Sequence, residues 1–215
     1  MAITQTHIEA AIHMRRHRTS TAQWLPSVAA MLGAAWFSAS IAAQVINDMT
    51  PVALADAIKE GTTAKSVRFY TARGGPFEIG ANVGVAYSTP YIRVAFAANE
   101  AKRRYKRFTE ADVTDEMNAP ELRVYAPAWA ASDRRTIVSP EAIVVLQGGD
   151  KGSIIQPTST QEIPEEFQNL FGAKTDGHSM VATFPISVLK DGNIIRVVWN
   201  IGKEMGHKIN TKNIR

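Results

Sequence analysis

The 215-residue chain has no cysteine. That excludes a disulfide framework, a thiolate metal site and a cysteine nucleophile, as well as a lipid-carrying cysteine behind an export leader. Histidine is nearly as scarce. Of five in the chain, only His178 and His207 lie beyond the first fifth. A zinc centre needs three or four nitrogen, sulfur or oxygen ligands, and no H-E-x-x-H occurs. The D-x-D-x-D-G loop of a calcium site is also missing. No metal or other cofactor is therefore expected. Charge of one sign is equally lacking. The whole chain carries 24 basic and 20 acidic side chains, but Arg15, Arg16, Arg18 and Glu9 belong to the first 43 residues, so 21 and 19 remain. A nucleic-acid binder is far more basic than that, and nucleic acid is not the expected partner.

What the chain does have is a distinctive beginning. Arg15, Arg16 and Arg18 precede a stretch from Thr19 to Asn47 without a charged side chain, apolar or small throughout Val28 to Phe37. Ser38 to Ala43 are almost all small, and Ser40-Ile41-Ala42 suits a signal peptidase. Positive cluster, apolar run and small residues form the pattern of an export signal. Residues 1–43 are read as that signal, with Met14 as a candidate true start and the protein periplasmic or extracellular. Two alternatives are a buried helix and an inner-membrane anchor over residues 25–46, the latter weakened by Pro26 and the many Ala and Ser.

Residues 44–202 read as one β-rich domain of ordinary size, and 203–215 as a loose polar, basic tail. "TPVALADAIKEG" predicts a helix capped by Thr50, started by Pro51 and stopped by Gly61, with Val52, Ala55 and Ile58 facing the core. Thr89-Pro90 opens a second helix whose stripe runs Tyr91, Val94, Ala98, Ala101, Tyr105 and Phe108. Strand grammar appears in "VRFYTA" and "GANVGVAYS", a pair joined through "RGGP", and again from Glu121, Glu141, Ser179 and Asn193. Asp191-Gly192 reads as a hairpin turn and Pro164 to Gly172 as a small helix or turn. The expected fold is mainly β, an antiparallel sandwich of immunoglobulin-like type with two or three short helices. An α+β single sheet is the alternative.

The search for chemistry returns little. "TDGHSM" places Asp176, His178 and Ser179 together, but neighbours on an extended chain face opposite ways, so His178 cannot serve Ser179. A turn into a strand accounts for the motif. "QGGDKGS" lacks the spacing of a phosphate loop and reads as a hairpin turn. The densest acidic group, Glu110, Asp112, Asp115 and Glu116, is the only candidate for carboxylate-based hydrolysis. The sharpest surface feature is Lys102, Arg103, Arg104, Lys106 and Arg107, a patch for an anionic polymer or membrane surface, unless the acids directly after it cancel it. Trp129 could stack on a sugar. The resulting expectation is an exported, non-catalytic binding or structural module for an extracytoplasmic protein, glycan or small ligand. A carboxylate hydrolase, or a module using residues 102–107, is the alternative.

Overall fold

A threonine followed by a proline opens both long helices. The computed structural model describes residues 49–72, 84–131, 136–168 and 172–214, all within one compact unit spanning 42–215. The export-signal segment 1–43, its cleavage site, the whole 25–46 span and the "RGGP" turn lie outside the described residues. Among those described, no helix is long and apolar enough to cross a membrane.

Helix α1 (Pro51–Thr63) starts as read, with the Thr50 hydroxyl accepting from the Ala53 N–H at 3.2 Å. Its buried face is different. Ala53, Ala57 and Gly61 turn inward, while Val52 is 76% exposed and Ala55 is exposed too. The reason is the close approach of α2 (Pro90–Arg103), which only small residues allow. A Cβ on Gly61 would stand 2.3 Å from the Ala95 carbonyl oxygen and 2.6 Å from the Ala98 Cβ. Gly61 is thus a packing residue inside the helix, not its stop. The last carbonyls of α1 are capped from α2 instead: Asn99 Nδ2 donates to the Gly61 and Ala64 carbonyls at 2.9 and 3.1 Å.

Helix α2 begins at the Thr89 cap and buries Tyr91, Val94 and Ala98 as the spacing predicts. The stripe then fails. The helix ends at Arg103, the backbone turns left-handed at Tyr105 (φ 56°), and that side chain is 100% exposed. The acidic stretch folds into a 3-10 turn (Glu110–Asp112) and the short α3 (Asp115–Asn118). One buried side chain fastens this helical layer to the sheet. Arg93 donates from Nε to the Met117 carbonyl at 3.2 Å, from Nη1 to Glu121 at 2.9 Å and Ser88 at 3.5 Å, and from Nη2 to Ala119. Burial lowers its pKa to about 10, so it remains charged at neutral pH.

The strands are β1 (Tyr70–Ala72), β2 (Val85–Ser88), β3 (Glu121–Ala126), β4 (Trp129–Ala130), β5 (Ile137–Val138) and β6 (Pro140–Gln147). They continue with β7 (Ser153–Ile155), β8 (Ser159–Gln168), β9 (Lys174–Pro185), β10 (Ile194–Trp199) and β11 (Lys203–Lys208). All pairings are antiparallel, in a five-stranded sheet β1-β2-β3-β9-β8, a four-stranded sheet β11-β10-β6-β7, and the small pair β4-β5. Leu122, Val124, Ala182 and Phe184 from one large sheet meet Ile143, Val145, Ile195, Val197 and Trp199 from the other in a shared core. The chain is mainly β with antiparallel sheets, and the single-sheet alternative does not form.

Four local expectations are corrected. Pro164 to Gln168 continue β8 rather than forming a helix, because Ile163, Glu165 and Phe167 alternate half-buried along one face. Proline is tolerated there because β8 is an edge strand. Asp176-Gly177 lies inside β9, not in a turn. Asp191-Gly192 is no hairpin, because β9 and β10 belong to opposite sheets; the link crosses between them and buries Ile186, Val188 and Leu189. The presumed tail is structural: β11 pairs along the whole of β10, and Ile209 and Ile214 are each 1% exposed. Its apolar residues are few and widely spaced, which hid them among lysines.

Two predictions follow from this packing. Gly61→Ala, a change that favours an isolated helix, lowers stability here by about 1–3 kcal/mol through overpacking; chemical denaturation showing an unchanged or raised midpoint refutes the close contact. His207 is half-buried beside Tyr87, ring centroids 5.7 Å apart, and burial holds its pKa below the ordinary 6.5. The unfolded chain then binds the extra proton first, so this contribution is present above about pH 6.5 and is lost as pH falls toward the folded value. Urea titrations between about pH 7 and 5 show a shallower stability slope in His207→Gln. Equal slopes would contradict the assignment.

Candidate functional site

The basic cluster sits where α2 ends, and the structure divides it. Lys102 Nζ donates to the Thr63 and Ala64 carbonyls at 3.3 and 3.0 Å, completing the cap of α1. Arg103 pairs with Glu100 at 2.8 Å. Lys106 and Arg107 are exposed, and no ion pair joins either to another described residue. Between the two groups of cations stands Tyr105, held outward by its left-handed backbone. Non-glycine residues rarely adopt that conformation. The Tyr105 N–H still bonds to the Lys102 carbonyl at 2.9 Å and that of Lys106 to the Ala101 carbonyl at 2.8 Å, so the corner is a closed turn.

Among the described residues, none of the acids that follow forms an ion pair with these cations. The Asp112 carboxylate accepts from the Thr109 N–H and hydroxyl, both at 2.8 Å, and those bonds hold it below the usual carboxylate range. Glu116 reaches the other way, to Arg123 at 2.7 Å. Asp115 occupies the first turn of α3, and Glu110 the 3-10 turn. All four are exposed. A polar groove of about 270 Å³ does open over the outer face of the five-stranded sheet, lined by Glu116, Glu121, Arg123, Ser159, Gln161, Val181 and Thr183. Only Glu116 of the acidic group reaches it. Arg123 lies between Glu116 and Glu121, so two carboxylates and one guanidinium meet in an open setting.

A hydrogen-bonded cluster that the sequence did not announce joins three strands. Ser179 is fully buried; its hydroxyl donates to the Glu165 carboxylate and accepts from the Ala128 N–H at 2.9 Å and the Tyr125 hydroxyl at 3.2 Å. Burial raises the Tyr125 pKa, opposed by the Ser179 bond and reinforced by Glu165. His178 faces away, its Nε2 lying 2.9 Å from the Pro140 carbonyl. The serine therefore has a carboxylate and no imidazole, and no surface access for a substrate. It ties β3, β8 and β9 together. The alternation of Tyr125 and Ser179 on outward positions was the available signal, but pairing Ser179 with Glu165 requires the register of β8 on β9.

"QGGDKGS" forms the turn between β6 and β7, with Gly148 and Gly149 at φ 79° and 113°. Trp129 packs edge to face on Trp199, ring centroids 4.4 Å apart, at the rim of the shared core. Among the described residues, no group of three or more histidines or carboxylates could hold a metal ion.

Removing the hydroxyl in Ser179→Ala leaves the buried Ala128 N–H unpaired and costs about 1–3 kcal/mol of stability. Chemical denaturation reads this directly, and a wild-type midpoint would show the cluster to be dispensable. No protein-family model, curated protein or solved structure matches the chain.

Proposed function

We propose that the chain is an exported, non-catalytic binding module that meets an anionic partner through the corner Lys102–Arg107, carried on a β-sandwich of immunoglobulin-like type. The observation that carries this reading is Tyr105: a fully exposed aromatic ring at a strained, left-handed position, with Lys102 on one side and Lys106 and Arg107 on the other. The left-handed residue closes the end of α2, and a residue other than glycine there costs about 1–3 kcal/mol. None of the nearby acids forms an ion pair with Lys102, Lys106 or Arg107 among the described residues. The leader-like first 43 residues support export. The two sheets with one shared core support the sandwich.

Immobilised dextran sulfate at low ionic strength provides the test. Wild-type protein is retained and elutes with salt, as screening of exposed charge requires. Lys106→Glu/Arg107→Glu weakens retention by about tenfold or more, while a control reversal outside the corner, Lys190→Glu, leaves it unchanged. Equal retention of all three proteins refutes the corner as the contact.

A further inference from the structure

Resting on that reading, we infer that the anionic partner is a lipid surface, touched by Tyr105 at headgroup depth with the flanking cations above phosphate. A long soluble polyanion is bound by cations spread along a groove. Here they are crowded into six residues around one protruding ring, and the chain beyond them turns acidic at Glu110, Asp112 and Asp115. A polymer laid across the corner would run onto like charge. A plane touched at its apex does not. The ring chemistry agrees: tyrosine has an apolar body and a polar tip, and it is enriched where bilayer meets water. The left-handed turn serves this geometry, because it lifts Tyr105 off the apolar stripe of α2 that would otherwise bury it against Phe108 and its neighbours. The exposed charges on Lys106 and Arg107, in no ion pair among the described residues, then add electrostatic attraction, a factor of about five in partitioning for each cation near an anionic surface.

The purified full chain is floated with vesicles of equal parts phosphatidylcholine and phosphatidylglycerol, with pure phosphatidylcholine vesicles as the reference. Every comparison is between point variants of the same chain, so any contribution of residues 25–46 is common to all. Wild-type protein partitions more strongly to the anionic vesicles. Lys106→Gln/Arg107→Gln lowers that partitioning by about twenty-five-fold. Tyr105→Asn, which keeps a residue tolerant of the left-handed backbone, weakens vesicle binding several-fold yet leaves dextran sulfate retention intact. Retention on dextran sulfate without vesicle binding overturns the lipid inference and leaves the anionic-partner reading standing. The same holds if Tyr105→Asn binds vesicles as the wild type does. Equal binding to neutral and anionic vesicles, with no effect of the charge variant on either probe, overturns both.

Discussion

The arrangement of two layers depends on Arg93. Its guanidinium reaches carbonyls at the end of β2, on α3 and its exit, and at the start of β3. Those carbonyls belong to backbone leaving regular structure, where ordinary ladder partners run out. One planar cation with five donors satisfies several at once. Lysine at this position would offer a point charge and no fork. Because the bonds are to main-chain oxygens, the register of α2 on the sheet is set by backbone and not by the identity of neighbouring side chains. The second constraint, Gly61 beneath Ala95, sets how closely α1 can follow. Together they seat α2 against the sheet and against α1, and the left-handed turn at Tyr105 then ends it at the basic corner.

That corner shows how sequence proximity misleads about ion pairing. Acids placed a few residues after a basic run look like compensation. In the fold, Asp112 is engaged in its own turn and Glu116 spans to β3, because short threonine-capped turns redirect each carboxylate. At the groove over Arg123, by contrast, Glu116 and Glu121 do find their partner nearby, both carboxylates pairing with the one guanidinium.

Much of the architecture was legible locally. Both Thr-Pro helix starts, the alternation of β3 and the β6–β7 turn each rest on a rule spanning a few residues. The failures share a cause: they needed a partner from elsewhere. Val52 looks like core until α2 selects alanines and a glycine. Asp191-Gly192 looks like a hairpin until β9 and β10 prove to be in different sheets. The lysine-rich end looks loose until β10 offers it a ladder. At the candidate site, the cations were visible as a run, whereas the exposure of Tyr105 was not. Helical periodicity assigned it to the buried stripe, and only the left-handed exit from α2 removes it. The Ser179 cluster was invisible because its carboxylate arrives from the neighbouring strand.

Strand β8 bounds the five-stranded sheet, and an open edge of ten residues is a surface on which other strands can grow. Here Pro164 interrupts the row of amide donors, and Glu162, Glu165 and Glu166 crowd its middle. A second copy laid antiparallel about the centre of the strand would bring Glu162 opposite Glu165 and meet a missing N–H beside it. That pairing between two copies is therefore opposed both by like charge and by a missing donor.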